Sequence, residues 1–405
     1  MQKDKAADGL RGLAALNVVL CHFLGAIYPL GFENLYPGVS GPGAIPSRVS
    51  SFLSIPMVSL FWNGNFAVCV FFVLSGYVLA KPFIENGDAD SLKLRAARRY
   101  FRLVVPVVGS VLFAYILVKL GFNHTKQLAA ISHNVPLDHS WTDPPDFFIA
   151  LKEGFFGGIF EGRSFLVPVL WTMKIEFIGS MIVFAYWSLN LAGMAGIIWL
   201  CISSAVIVHC FPDEWMLYLG FLGGTYLNYV KAPQPKWMMA TAILLAIFCG
   251  GFDNSALYKF ANFIPMYFYP RKHIFNILGA ILLLYAIRGG AFQRILSSMP
   301  AQFLGKVSYP LYLVHQTIIF AFSSMLFVNL YQHLHLKVWE AAAIDLLATL
   351  MVALTIASIF EATFDSYGIR LSKWIIATPK IPVVNRLNRS TSQAQGKSPD
   401  ADSIP

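Results

Sequence analysis

Apolar residues dominate ten stretches of the chain, near 11–30, 61–80, 103–122, 166–187, 194–211, 215–230, 236–251, 273–288, 309–330 and 341–361. A helix rises about 1.5 Å per residue, so roughly 20 such residues cross a hydrocarbon core of about 30 Å. The fifth to eighth stretches are short, which sets the expected count of crossings at nine to eleven. The pattern predicts an all-α polytopic integral membrane protein of about ten transmembrane helices. No internal repeat is visible. Residues 1–362 form the expected membrane domain. Residues 363–405 read as a basic cytoplasmic tail, rich beyond Thr378 in Pro, Ser, Gln and Asn and expected to be largely disordered.

Composition agrees. Of 405 residues, 57% are hydrophobic and 13% charged, against about 25% charged in a soluble domain. No hydrophilic run is long enough for a second folded domain. The net charge of +9 would suit nucleic acid, but its distribution argues for a membrane and against that partner. With the N-terminus placed in the cytoplasm, the inside segments carry 20 Lys and Arg and the outside loops 8. That asymmetry follows the positive-inside rule and predicts both termini inside. The basic start, Lys3, Lys5 and Arg11, imitates a signal peptide. Asn17 and His22 interrupt the apolar run that follows, so it reads as a retained first helix. The five cysteines, Cys21, Cys69, Cys201, Cys210 and Cys249, have no metal-ligand spacing and read as buried small apolar residues.

Four clusters are candidates for chemistry. The first runs from Asp8 through Arg11 to His22. The eleven steps from Arg11 to His22 cover roughly 16 Å, about half a bilayer core. An ionisable group at that depth is a functional-site hypothesis by default. The second is FFVLSGYVLAKPF, with Ser75 beside Gly76. The third is RRYFRLVVP, whose Arg99 and Arg102 share a helix face. With Arg11, Arg95 and Arg98 they make a basic mouth, and arginine forks suit phosphate and diphosphate. The fourth is LWTMKIEF, which sets Lys174 and Glu176 deep in the fourth span. Glu176 and His22 lie at similar depth and would form a dyad in which the carboxylate orients the imidazole. Each cluster also has a structural reading. A lone membrane histidine bridges helices, inner basic residues obey the positive-inside rule, and Lys174 with Glu176 forms a buried pair. Ser75-Gly76 reads as a close-packing site more readily than as a nucleophile.

Taken in order, Arg-X10-His, LSGY, RRYFR-X3-P, WTMKIE and SYPLYLVH (Ser308 to His315) resemble the membrane-bound acyltransferase 3 family of the transmembrane acyltransferase superfamily. The resemblance covers roughly residues 6–362. It implies helices around a central cavity and transfer of an acyl group, usually acetyl, from acyl-CoA as co-substrate to a sugar, glycan or glycolipid acceptor. It implies His22 as the catalytic residue with Glu176 as its acidic partner, and Arg11, Arg99 and Arg102 as donor-binding residues. Asp8, Lys174, Ser75, Tyr309, Tyr312 and His315 take supporting roles. No metal or bound cofactor is expected, since exchanging a thioester for an oxygen ester needs neither. The outside loops 31–60 and 123–165 would cover the acceptor site. The chain resembles a stand-alone member without a fused extracytoplasmic domain, so polysaccharide-assembly partners would be separate proteins. The expected location is the inner (plasma) membrane. The alternatives are a transporter or flippase of an acylated or anionic small molecule, and a non-catalytic scaffold.

Overall fold

The computed structural model describes residues 4–376 except 45, 88, 144, 190, 192 and 266. Ten long helices stand where the ten apolar stretches predict them: α1 (Lys5–Ile27), α2 (Gly64–Asn86), α3 (Ala89–Lys119), α4 (Trp171–Ser188), α5 (Gly193–Cys210), α6 (Trp215–Tyr226), α7 (Lys236–Gly250), α8 (Phe268–Arg288), α9 (Met299–Gln332) and α10 (Val338–Ile375). Among the described residues there is no strand, only an isolated bridge between Ser40 and Asn134. The protein is an all-α polytopic membrane protein. Among the described residues, seven helices are long and apolar enough to cross a membrane, while α6, α7 and α8 fall short of that measure.

Local chemistry sets the helix starts. Asp4 caps α1 by accepting the Ala7 N–H at 3.1 Å, and Asn63 caps α2 by accepting that of Phe66 at 3.3 Å. These side chains satisfy donors that a helix N-terminus leaves open. α1 packs along α9 at a distance that only glycine allows. A Cβ at Gly12 would lie 2.4 Å from the Gly305 nitrogen, and one at Gly305 would lie 2.3 Å from the Asp8 carbonyl oxygen. Small residues bring helix backbones together in this way inside membranes. α5 keeps Ile207 buried and turns most of its surface outward. Its Cys201 and Cys210 are accordingly exposed, unlike the buried Cys21, Cys69 and Cys249. The expectation that all five are buried fails because α5 has protein on one side only.

The expected boundary at 362 lies within α10, which runs on through a π turn (Glu361–Asp365) to Ile375. Arg98 donates from Nε and Nη2 to the Ile376 carbonyl, at 3.1 and 2.7 Å, and ties this helix end to α3. That contact also takes Arg98 from the expected basic mouth. Residues 377–405 lie outside the described residues. The outside loops, for their part, contain short helices at Arg48–Leu53, Thr125–Ser132, Val135–Asp138 and Phe147–Lys152. Glu33 organises the first loop by accepting the Gly38 N–H at 2.7 Å and the Ser40 N–H and hydroxyl at 3.1 and 2.6 Å. Asn134 ties the second loop to α1 by donating to the Gly25 carbonyl at 2.9 Å.

Candidate active site

α1 and α9 bring two histidines together. His22 Nδ1 lies 3.2 Å from His315 Nε2 and 3.0 Å from the Val18 carbonyl oxygen. His315 is fully buried, and its Nδ1 faces the Tyr312 and Leu311 carbonyls at 2.7 and 3.2 Å. Those contacts assign the tautomers. A carbonyl only accepts, so His315 carries its proton on Nδ1, and its Nε2 accepts from His22 Nδ1–H. The lone pair on His22 then resides on Nε2, as a general base requires.

His22 borders a cavity of about 510 Å³ on the loop side of the bundle. The mouth includes Gly38, Pro136 and Tyr269, and the walls include Val39, Leu137 and Phe320. Tyr36 and Asn65 also line it, and the Asn65 N–H donates to Tyr36 Oη at 3.0 Å. The Lys272 ammonium sits 3.9 Å above the Tyr36 ring and, fully buried, donates to the Leu35 carbonyl. A cation held this way fixes the ring against the cavity wall.

The late motif builds the other wall. Tyr312 Oη lies 2.8 Å from Thr172 Oγ1, and Thr172 donates to the Val169 carbonyl at 2.9 Å. Gln316 Oε1 accepts the Val169 N–H at 3.1 Å. These bonds lock the start of α4 to α9. Tyr309 acts one turn earlier, donating to the Leu103 carbonyl of α3 at 3.2 Å.

Glu176 does not stand against His22 in the way its depth predicts. Its carboxylate forms an ion pair with Arg99 and accepts from Ser75 Oγ at 2.9 and 3.1 Å. Arg99 donates in addition to Ser180 Oγ at 2.9 Å. Both charged side chains are largely buried, as such a pair requires if neither is to be left uncompensated. Ser75 is therefore a carboxylate ligand, and neighbouring Gly76 is a packing residue whose Cβ would fall 1.9 Å from the Phe221 carbonyl oxygen. Lys174 pairs with Glu214 at 3.1 Å rather than with Glu176. Arg11 lies 3.4 Å from Asp8, and Arg102 is exposed. Arg11, Arg99 and Arg102 all act on Glu176 electrostatically. Sequence reasoning missed Tyr36 and Asn65. The only signal was the Asn63-Gly64-Asn65 run before an apolar stretch, which reads as a helix cap.

The profile of a family described as an acyltransferase domain matches residues 4–361. Among curated proteins, the chain is 27% identical to "O-acetyltransferase PaAT-1" of Phomopsis amygdali, over 76% of this chain and 70% of the relative. It is 24% identical to "Acyltransferase R4" of Phoma sp., over 79% and 83% of the two chains. It is also 24% identical to "Acyltransferase clz18" of Cochliobolus lunatus, over 95% and 96%. No solved structure matches the chain.

Proposed function

As a member of this acyltransferase family, the chain is an O-acyltransferase, and we propose that it moves an acyl group, acetyl in the simplest case, from cytoplasmic acyl-CoA to a hydroxyl that enters from the opposite side. The observation that carries the reading is the His22–His315 pair at the edge of a cavity open on the loop side. Acetyl as the transferred group draws on the name of the Phomopsis relative. The 20-to-8 distribution of basic residues supports an N-terminus in the cytoplasm.

In this reading the CoA phosphates dock on Arg102 and Arg11, with Arg99 held behind them by Glu176. The thioester reaches along α1 towards His22. The acceptor hydroxyl gives its proton to His22 Nε2 as its oxygen attacks the thioester carbonyl. The resulting imidazolium is stabilised at Nδ1–H by His315 Nε2 and the Val18 carbonyl. Collapse of the tetrahedral intermediate breaks the C–S bond, and the Nε2 proton passes to the thiolate, releasing CoA as the thiol. Glu176 acts as a counter-ion for the donor arginines rather than as the orienting partner of the base.

The test is thiol release by the purified protein from acetyl-CoA, with and without a hydroxyl acceptor. Release that depends on the acceptor and is lost in His22→Ala supports the reading. Equal turnover by His22→Ala refutes the role of the histidine. A transporter or scaffold would release no thiol at all.

A further inference from the structure

The cavity beside His22 has a chemical character of its own. Among the described residues, none that lines it is Asp, Glu, Lys or Arg. Apolar side chains make up much of its wall, among them Val39, Val68, Leu137, Ile319 and Phe320. Most of its polar side chains are committed within the protein. Asn134 spends its amide on the Gly25 carbonyl and the Leu137 N–H, Ser140 on the Pro136 carbonyl, and Tyr312 on Thr172. Two are not. Asn65 Nδ2 is buried without a hydrogen-bond partner. Tyr36 Oη accepts from the Asn65 N–H and, at 3.5 Å, from Cys21 Sγ, which leaves its own proton to donate.

We propose that the acceptor is an uncharged, predominantly apolar alcohol, anchored by Asn65 and Tyr36 and offering its hydroxyl to His22. This narrows the acyl-transfer reading above and rests on it. A sugar carries a hydroxyl on most of its carbons, and each must find a partner when it leaves water. This cavity is walled mostly by apolar side chains, and its few unmet polar groups are spread among them rather than gathered into a set that would match a ring of hydroxyls. An alcohol with a compact hydrocarbon skeleton loses little and gains contact with the walls. The volume is that of a pocket for a drug-sized molecule. The inference therefore replaces the sugar that the family resemblance implies.

The experiment uses the full-length protein in detergent with 4-(hydroxymethyl)benzophenone, which is both a photolabel and an apolar alcohol. The expected result is labelling of the segments that line the cavity, around 36–39, 134–140 or 319–320. Excess menthol should abolish it and methyl glucoside should leave it unchanged. With acetyl-CoA present, the wild type should form the acetate ester of the probe. Asn65→Ala should raise the KM for the probe with kcat retained, and Leu137→Trp, which fills the cavity, should lose labelling. Labelling confined to other surfaces, or suppression by methyl glucoside equal to that by menthol, overturns the proposal. Preferred acetylation of methyl glucoside also overturns it while leaving acyl transfer intact. Labelling in the cavity with no ester from acetyl-CoA refutes acyl transfer instead.

Discussion

Replacing His315 with leucine tests how the base is held. The substitution removes the Nε2 acceptor that faces His22 Nδ1 at 3.2 Å and leaves the Val18 carbonyl as its partner. Leucine has a similar volume, and the carbonyls facing His315 Nδ1 belong to residues 311 and 312 of its own helix. The stability cost should therefore stay below about 1.5 kcal/mol. The catalytic cost is larger. A hydrogen bond to a charged group contributes about 1.5–3 kcal/mol, and His22 is charged while the hydroxyl proton resides on it. Loss of that bond at the transition state corresponds to a fall in kcat of about 10- to 150-fold. His22→Ala removes the base itself and should lose about 10²- to 10⁴-fold. The KM for acetyl-CoA should not move, because His315 touches neither substrate. His315→Gln keeps an acceptor and should recover part of the loss. The assay is thiol release at saturating acetyl-CoA, corrected for folded protein by a thermal melt. Wild-type kcat in His315→Leu, or a loss matched by the loss of folded protein, would refute the tautomer argument.

The buried Arg99–Glu176 pair, only 10% and 13% exposed, predicts a fall of about 3–5 kcal/mol in stability for Glu176→Ala, which strands the arginine. A thermal melt in detergent checks it, and the double replacement of both residues by methionine should sit closer to wild type. Lys174→Ala breaks a pair that is 25% and 32% exposed and should cost less than about 1 kcal/mol by the same melt. Arg102→Ala should keep the fold and raise the KM for acetyl-CoA about tenfold or more, as loss of a charge-assisted phosphate contact would; an unchanged KM refutes the docking scheme. Burial pushes the Glu33 carboxyl up, but the Gly38 N–H and the Ser40 hydroxyl and N–H outweigh it and hold the group below its ordinary value. Its contribution to loop order is present above the ordinary glutamate range, about 4.3, and is lost as the pH falls through the lower folded value. Protection factors of the amides of residues 38–40, exchange corrected for its intrinsic pH dependence, should fall in that acidic window and show no such step in Glu33→Gln.

Hydropathy located all ten long helices because a membrane helix is selected on its apolar length. It missed the end of α10 because Ser366–Ile375 is amphipathic, with Arg370 and Lys373 among its residues. Spacing placed Arg11 and His22 at two depths on α1, and the late motif pointed to His315. It misassigned the partners. Depth is one coordinate, and pairing also needs the direction in which a side chain leaves its helix. The sequence put Glu176 and His22 at one depth, yet Glu176 pairs with Arg99 of α3 and His22 with His315 of α9. Lys174 finds Glu214, a loop residue that no count along a span would have brought into reach. Asn65 and Tyr36 carry no motif, and their role emerges only once the loops have folded over α1.

The glycine crossing of α1 and α9 has a consequence for how such an enzyme can change. Gly12 meets Gly305, and ten residues further along each chain His22 meets His315. The two helices thus run side by side in the same direction and advance about 15 Å together between the contacts. Deleting one residue from either helix would turn everything beyond it by about 100° and carry its histidine away from the seam. Only removal of about seven residues, two turns, from both helices at once would bring the rings face to face again, roughly 10 Å shallower. The depth of the reacting centre is therefore quantised, whereas the loops that wall the cavity can vary one residue at a time. Evolution of this scaffold is free to exchange acceptors and nearly forbidden to move the histidine.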